Sequence, residues 1–135
     1  MEFAGLNYWA VLLAAVTAFI IGSAYYGVLG RYWMRAARID PERGSPSPGV
    51  FVISFGCELV MAWVLAGVIG HLGDGQVTIR NGLISGLFVW IGFVATTVTI
   101  NQRYEGFGWA LTLIDAGHWL LVLLAMGAVI GFMGV

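Results

Sequence analysis

Residues 109–133 read WALTLIDAGHWLLVLLAMGAVIGFM, an apolar run interrupted by one acid, Asp115, and one histidine, His118. A run this long, at about 1.5 Å of rise per helical residue, covers a hydrocarbon core about 30 Å thick. Three comparable runs precede it, at about residues 8–29, 49–72 and 83–100. None alternates with period two as a barrel strand would, and in lipid a helix satisfies its own backbone hydrogen bonds. The expected fold is therefore all-α, an integral membrane four-helix bundle forming one transmembrane domain over residues 1–135.

The composition agrees. Of the residues, 60% are hydrophobic and 10% charged, and a soluble domain this small could not hide so much apolar surface. Twenty glycines suit membrane helices, where small side chains let backbones approach. Six arginines cannot supply both topological anchors and a phosphate-binding stripe, which excludes nucleic acid as a partner. Membrane lipids are the implied surroundings. Cys57 has no second cysteine to pair with. The first run lacks the basic stretch and cleavage pattern of a signal peptide, so Met1 and Glu2 are expected to stay attached.

The basic connection at residues 31–48 carries Arg31, Arg35, Arg38 and Arg43, and the third connection carries Arg103. Two helices separate these connections, so they share one side, and the other side has Arg80 alone. The positive-inside rule puts the arginine-rich side in the cytoplasm of a plasma or inner membrane, with both termini outside. The same arginines are candidates for contact with anionic lipid. Tyr32 to Ile39 either continues the first helix or lies along the interface. Tyr8, Trp9, Tyr32, Trp33, Tyr104 and Trp109 sit where interfacial anchors would, and His71 reads as a helix-end residue.

Glu58 lies about nine residues into the second run, and Asp115 and His118 lie three apart on one helical face. Counted from the arginine-rich side, Tyr25, Tyr26, Thr96 and Thr97 fall at comparable depth, with Asn101 and Gln102 closing the third helix. An ionisable group inside a span is costly and marks a place to look for function. An Asp115–His118 hydrogen bond would serve proton-coupled movement. Glu58 could equally be a hydrogen-bonded structural acid, and Asp115 and His118 a polar pair tying helices together. Two ligands without a Cys cluster or HExxH motif do not make a metal site, and no cofactor is implied. Enzymatic chemistry has no nucleophile elbow or phosphate loop behind it, although a lipid-borne substrate within the bundle stays open.

Ser23 with Gly27, Gly82 with Gly86, and Gly127 with Gly131 form small-xxx-small faces for packing inside one bundle or between copies. A conduit for an ion, proton or small solute is expected at a homo-oligomer interface, a dimer being the simplest assembly. Glu58, Asp115, His118, Tyr25, Tyr26, Thr96 and Thr97 would then line a transporter or channel-like site. The alternative is a non-transporting scaffold, or a lipid- or ligand-binding protein.

The segments Gly22-Ser23-Ala24-Tyr25-Tyr26, Tyr32-Trp33, Trp90-Ile91-Gly92-Phe93, Gln102-Arg103-Tyr104-Glu105-Gly106 and Asp115-Ala116-Gly117-His118, with Gly127 and Gly131, resemble the DUF1761 family of small membrane proteins. The resemblance covers nearly the whole chain and implies a four-helix membrane domain, with no activity or catalytic residue to carry over. Family members typically have Trp-Tyr where this chain has Tyr25-Tyr26, so a site using that indole donor would differ here.

Overall fold

The structure, a computed structural model, describes residues 5–135, and the expectation for Met1 and Glu2 lies outside them. Four helices are long and apolar enough to span a membrane: α1 (Tyr8–Ala36), α2 (Pro48–Gly70), α3 (Ile79–Tyr104) and α4 (Trp109–Met133). No strand forms among the described residues.

Local chemistry sets the helix ends. Asn7 caps α1 by accepting from the Ala10 amide at 3.2 Å, and Thr78 caps α3 through the Asn81 amide at 3.2 Å. Pro48 opens α2 at the first helical position, where its missing N–H costs nothing. α1 runs past its apolar stretch to Ala36, so the Tyr32 segment continues the helix. At about 1.5 Å per residue it is longer than the hydrocarbon core, and its last turns carry Arg31 and Arg35 beyond it.

α1 and α3 end in the same way. Beyond Ala37, Arg38 takes φ 57° and the Ile39 amide reaches back to Met34 O at 2.9 Å. Beyond Glu105, Gly106 takes φ 78° and the Phe107 amide reaches Gln102 O at 2.9 Å. Both are Schellman closures, the second with the glycine that left-handed geometry favours. The Arg38 side chain then donates to Gly106 O at 2.7 Å and lies over the Phe107 ring, joining the two connections at one end of the bundle. At the other end the Asn7 side-chain amide donates to Met133 O at 3.3 Å, so the start of α1 meets the end of α4.

α4 is the central helix, packed against both α3 and α1, while α2 rests chiefly on α1. The apolar core occupies the half of the bundle nearest the termini. It comprises Val11, Ala14, Ala15 and Ala18 of α1, Ala62, Leu65, Ala66 and Ile69 of α2, and Val122, Leu123, Met126 and Ile130 of α4. Small side chains on α1 bring its backbone close to its neighbours, which matters in lipid because contact rather than water exclusion holds helices together. The tightest approach joins α3 to α4. Gly82 faces Gly127 backbone to backbone, Gly86 faces Leu123 O, and Gly131 faces Thr78 O. The glycine faces at Gly82/Gly86 and Gly127/Gly131 therefore pair with each other inside one chain. Gly27 has nothing within 4 Å of where a Cβ would stand.

Midway along α3, Trp90–Ala95 form a π segment. Before it, α3 is docked closely on α4; beyond it the contact thins. The Thr96 and Thr99 hydroxyls bond Gly92 O at 3.0 Å and Ala95 O at 2.7 Å, covering carbonyls of the altered turn.

Candidate functional site

The arginine-rich half of the bundle holds a chain of polar side chains that crosses three helices. Arg103, on the last turn of α3, donates to Thr112 Oγ1 at 2.7 Å and to Gly108 O at 3.0 Å, with its guanidinium over the Trp109 ring at 4.0 Å. Thr112 donates to Gln102 Oε1 at 2.7 Å, which leaves the Gln102 amide nitrogen to donate to Asp115 Oδ2 at 2.8 Å. The second Asp115 oxygen accepts from the Tyr26 hydroxyl at 2.8 Å. A guanidinium only donates, so the direction of the bonds from Arg103 through Thr112 to the Gln102 side chain is fixed. Tyr25 donates to Ile114 O at 2.7 Å and Trp90 Nε1 to Ala116 O at 2.8 Å, so α4 is held from both flanks around Asp115.

His118 is the next residue along this face of α4, and its surroundings differ. It is 5% exposed and neither ring nitrogen has a hydrogen-bond partner. An Asp115–His118 bond, one of the possibilities the spacing allows, is therefore not made; the Asp115 oxygens accept from Tyr26 and Gln102 instead. The imidazole is packed among the rings of Tyr26, Tyr25 and Trp119, with centroids 4.9, 5.5 and 4.6 Å away. Its Nε2 lies 3.0 Å from where a Cβ on Gly22 would be, so a side chain at 22 would make the ring shift by a few tenths of an ångström.

Glu58 stands across from it on α2, also 5% exposed, with Oε2 unpartnered. Glu58 and His118 both line a cleft of about 620 Å³ between α1, α2 and α4, which reaches from Trp119 out to Pro46 in the basic connection. The cleft lies where α1 and α2 are packed less tightly: none of residues 49–57 of α2 is fully buried, whereas Ala62, Leu65, Ala66 and Ile69 are. A buried polar atom without a partner costs free energy unless something else supplies one, and here two residues that line one cavity carry such atoms.

The other expected site residues divide cleanly. Tyr26, Asp115 and His118 come together, and Tyr25 touches the group through the His118 ring. Thr96 and Thr97 are exposed on α3 and do not reach it, the Thr96 hydroxyl being held by its own helix. Arg31, Arg35 and Arg43 are exposed, whereas Arg38 and Arg103 are engaged in the connections. Thr112 and the bond Gln102 makes to Asp115 were not anticipated. The available signal was spacing, since Thr112, Asp115 and Trp119 recur at helical intervals with His118 on one face of α4. Among the described residues no group of three or more His, Cys, Asp or Glu could hold a metal ion.

A family model described as protein of unknown function (DUF1761) matches residues 9–131. No curated protein and no solved structure matches the chain.

Proposed function

The chain belongs to the DUF1761 family, and from that premise we propose that it is a small-solute transporter whose substrate site is the cleft between α1, α2 and α4. The observation that carries this reading is the pair of buried, unpartnered groups, Glu58 Oε2 and His118, lining one cavity in a membrane bundle. Glu58 and His118 would contact the solute. Tyr26, held by Asp115, and Tyr25 would fix the position of the His118 ring. Thr96 and Thr97 have no part in this arrangement. The arginine-rich end faces the cytoplasm and both termini lie outside; a reporter enzyme fused after Val135 should then be active only outside the cytoplasm. A homodimer is the simplest assembly, and the exposed apolar face of α3, with Phe88 and Phe93, is available to a second copy or to lipid.

Flux in proteoliposomes tests the assignment. Wild-type protein should move a solute down an imposed gradient, and Glu58→Gln should lower that flux at least tenfold. Absence of flux under cation, anion and proton gradients would sink it. The satisfied Asp115 network favours one other reading, a non-transporting scaffold in which the same side chains only hold helices together. In that case Glu58→Gln would leave every functional readout unchanged.

A further inference from the structure

The lining of the cleft is uneven in its chemistry. Its walls are largely aromatic: Phe19 and Phe51 meet edge-on with centroids 6.3 Å apart, and Tyr26 and Trp119 flank His118. The hydroxyls along it are already engaged. Ser23 donates to Phe19 O at 2.8 Å, Ser54 to Val50 O at 2.8 Å, and Tyr26 to Asp115 at 2.8 Å. The chain has six arginines and no lysine, and none of the arginines lines the cleft. Glu58 is thus an acid in an aromatic-walled cavity with no arginine or lysine beside it. Burying an unpaired carboxylate is costly, and a ligand that brings positive charge removes the cost. Aromatic side chains favour the same ligand, because a cation is drawn to their π faces, most strongly where water is excluded. An anion would meet Glu58 with no arginine to offset it. A polyol would find few free donors.

Resting on the assignment of this cleft as the solute site, we propose that its ligand is a lipophilic organic cation, a hydrophobic amine or onium ion. Its charge is held at Glu58 among the rings of Phe19, Tyr26 and Trp119, and His118 accepts an N–H where the ligand has one. The volume of about 620 Å³ is in the range that takes such molecules. Glu58 lies ten residues into α2 from Pro48, about 15 Å along the helix, below the level of lipid headgroups. A free solute therefore reaches it more readily than the amine of a phospholipid.

Binding to the intact protein in detergent tests the class, with tetraphenylphosphonium as the cation, tetraphenylborate as an anion of the same shape, and triphenylphosphine oxide as a neutral counterpart. Tetraphenylphosphonium should bind saturably and protect Cys57, which is exposed and lines the cleft beside Glu58, from maleimide. Glu58→Gln should weaken that binding at least tenfold with an unchanged melting temperature, and Glu58→Asp should recover part of it. Equal affinity in wild type and Glu58→Gln would overturn the proposal. Protection of Cys57 by the neutral or anionic probe but not by the cation would overturn the ligand class and leave the cleft as a binding site. Failure of all three probes to bind would overturn both.

Discussion

Asp115 and Glu58 are both acids inside apolar helices, and they end in opposite situations. Asp115 has both oxygens occupied by donors from other helices, whereas Glu58 Oε2 has none. Their substitutions should separate accordingly. Asp115→Ala strands the Tyr26 hydroxyl and the Gln102 amide together, at about 1–3 kcal/mol for each group left unsatisfied. Tyr26→Phe removes one bond and leaves Gln102 in place, so it should cost about 0.6–1.7 kcal/mol, the range for side-chain hydrogen bonds between membrane helices. Glu58→Gln should cost nothing, because no bond to Oε2 is lost and no unpaired acid is left buried. Unfolding in a mixed-micelle titration would rank them, and a Glu58→Gln variant less stable than Tyr26→Phe would contradict the placement of Glu58. Both acids stood out in the sequence as exceptions within apolar runs. Their different partners did not, because sequence gives the depth of a side chain along its helix but not its rotation toward a neighbour.

At the scale of elements the decisive contact is between α3 and α4. A Cβ on Gly82 or Gly127 would overlap the opposite backbone, and neither helix can yield without leaving the other. Gly127→Val should therefore destabilise by at least about 3 kcal/mol, at the upper end of overpacking costs, or prevent folding. Gly27→Ala, with open space around it, should be neutral or slightly stabilising because alanine is the better helix former. Thermal melts of the two variants check the contrast, and equal losses would mean that the α3–α4 approach is not as close as described. All three small-residue patterns were visible in the sequence with equal weight. Only contact between the Gly82/Gly86 and Gly127/Gly131 faces distinguishes them from the Ser23/Gly27 pattern, which packs against nothing at Gly27. The four spans themselves were legible because apolar length is a one-dimensional property. Their ends were less so: α1 and α3 continue beyond their apolar stretches, since their backbone geometry closes only at Arg38 and Gly106.

Across the whole molecule the helices are divided in chemistry along their length. Close packing fills the half near the termini, and polar side chains with the open cleft fill the half near the arginine-rich connections. That division was readable from where Glu58, Asp115 and His118 fall along their spans, although the cleft was not, because it depends on which side chains of α1, α2 and α4 meet, and sequence does not give their rotation. The π segment of α3 adds a consequence for how the chain can change length. From Gly86 to Gln102 is sixteen steps, which in a regular α-helix would turn about 1600° and leave the two residues about 160° apart. Both must face α4, one to dock and one to reach Asp115. The wide turn absorbs about one residue's rotation, near 100°, and brings them within about 60°. Removing one residue there restores a regular helix without turning either half. Deletion of Phe93, a solvent- or lipid-facing side chain, should accordingly leave the melting temperature within a few degrees of wild type. Deletion of Leu121 in α4, also an exposed side chain, has no such slack to consume. It should swing Thr112 and Asp115 away from the face that carries Met126 and Gly127 and abolish folding. The bundle thus carries one spare residue, stored in a single turn of α3, and can lose it there without a change of phase.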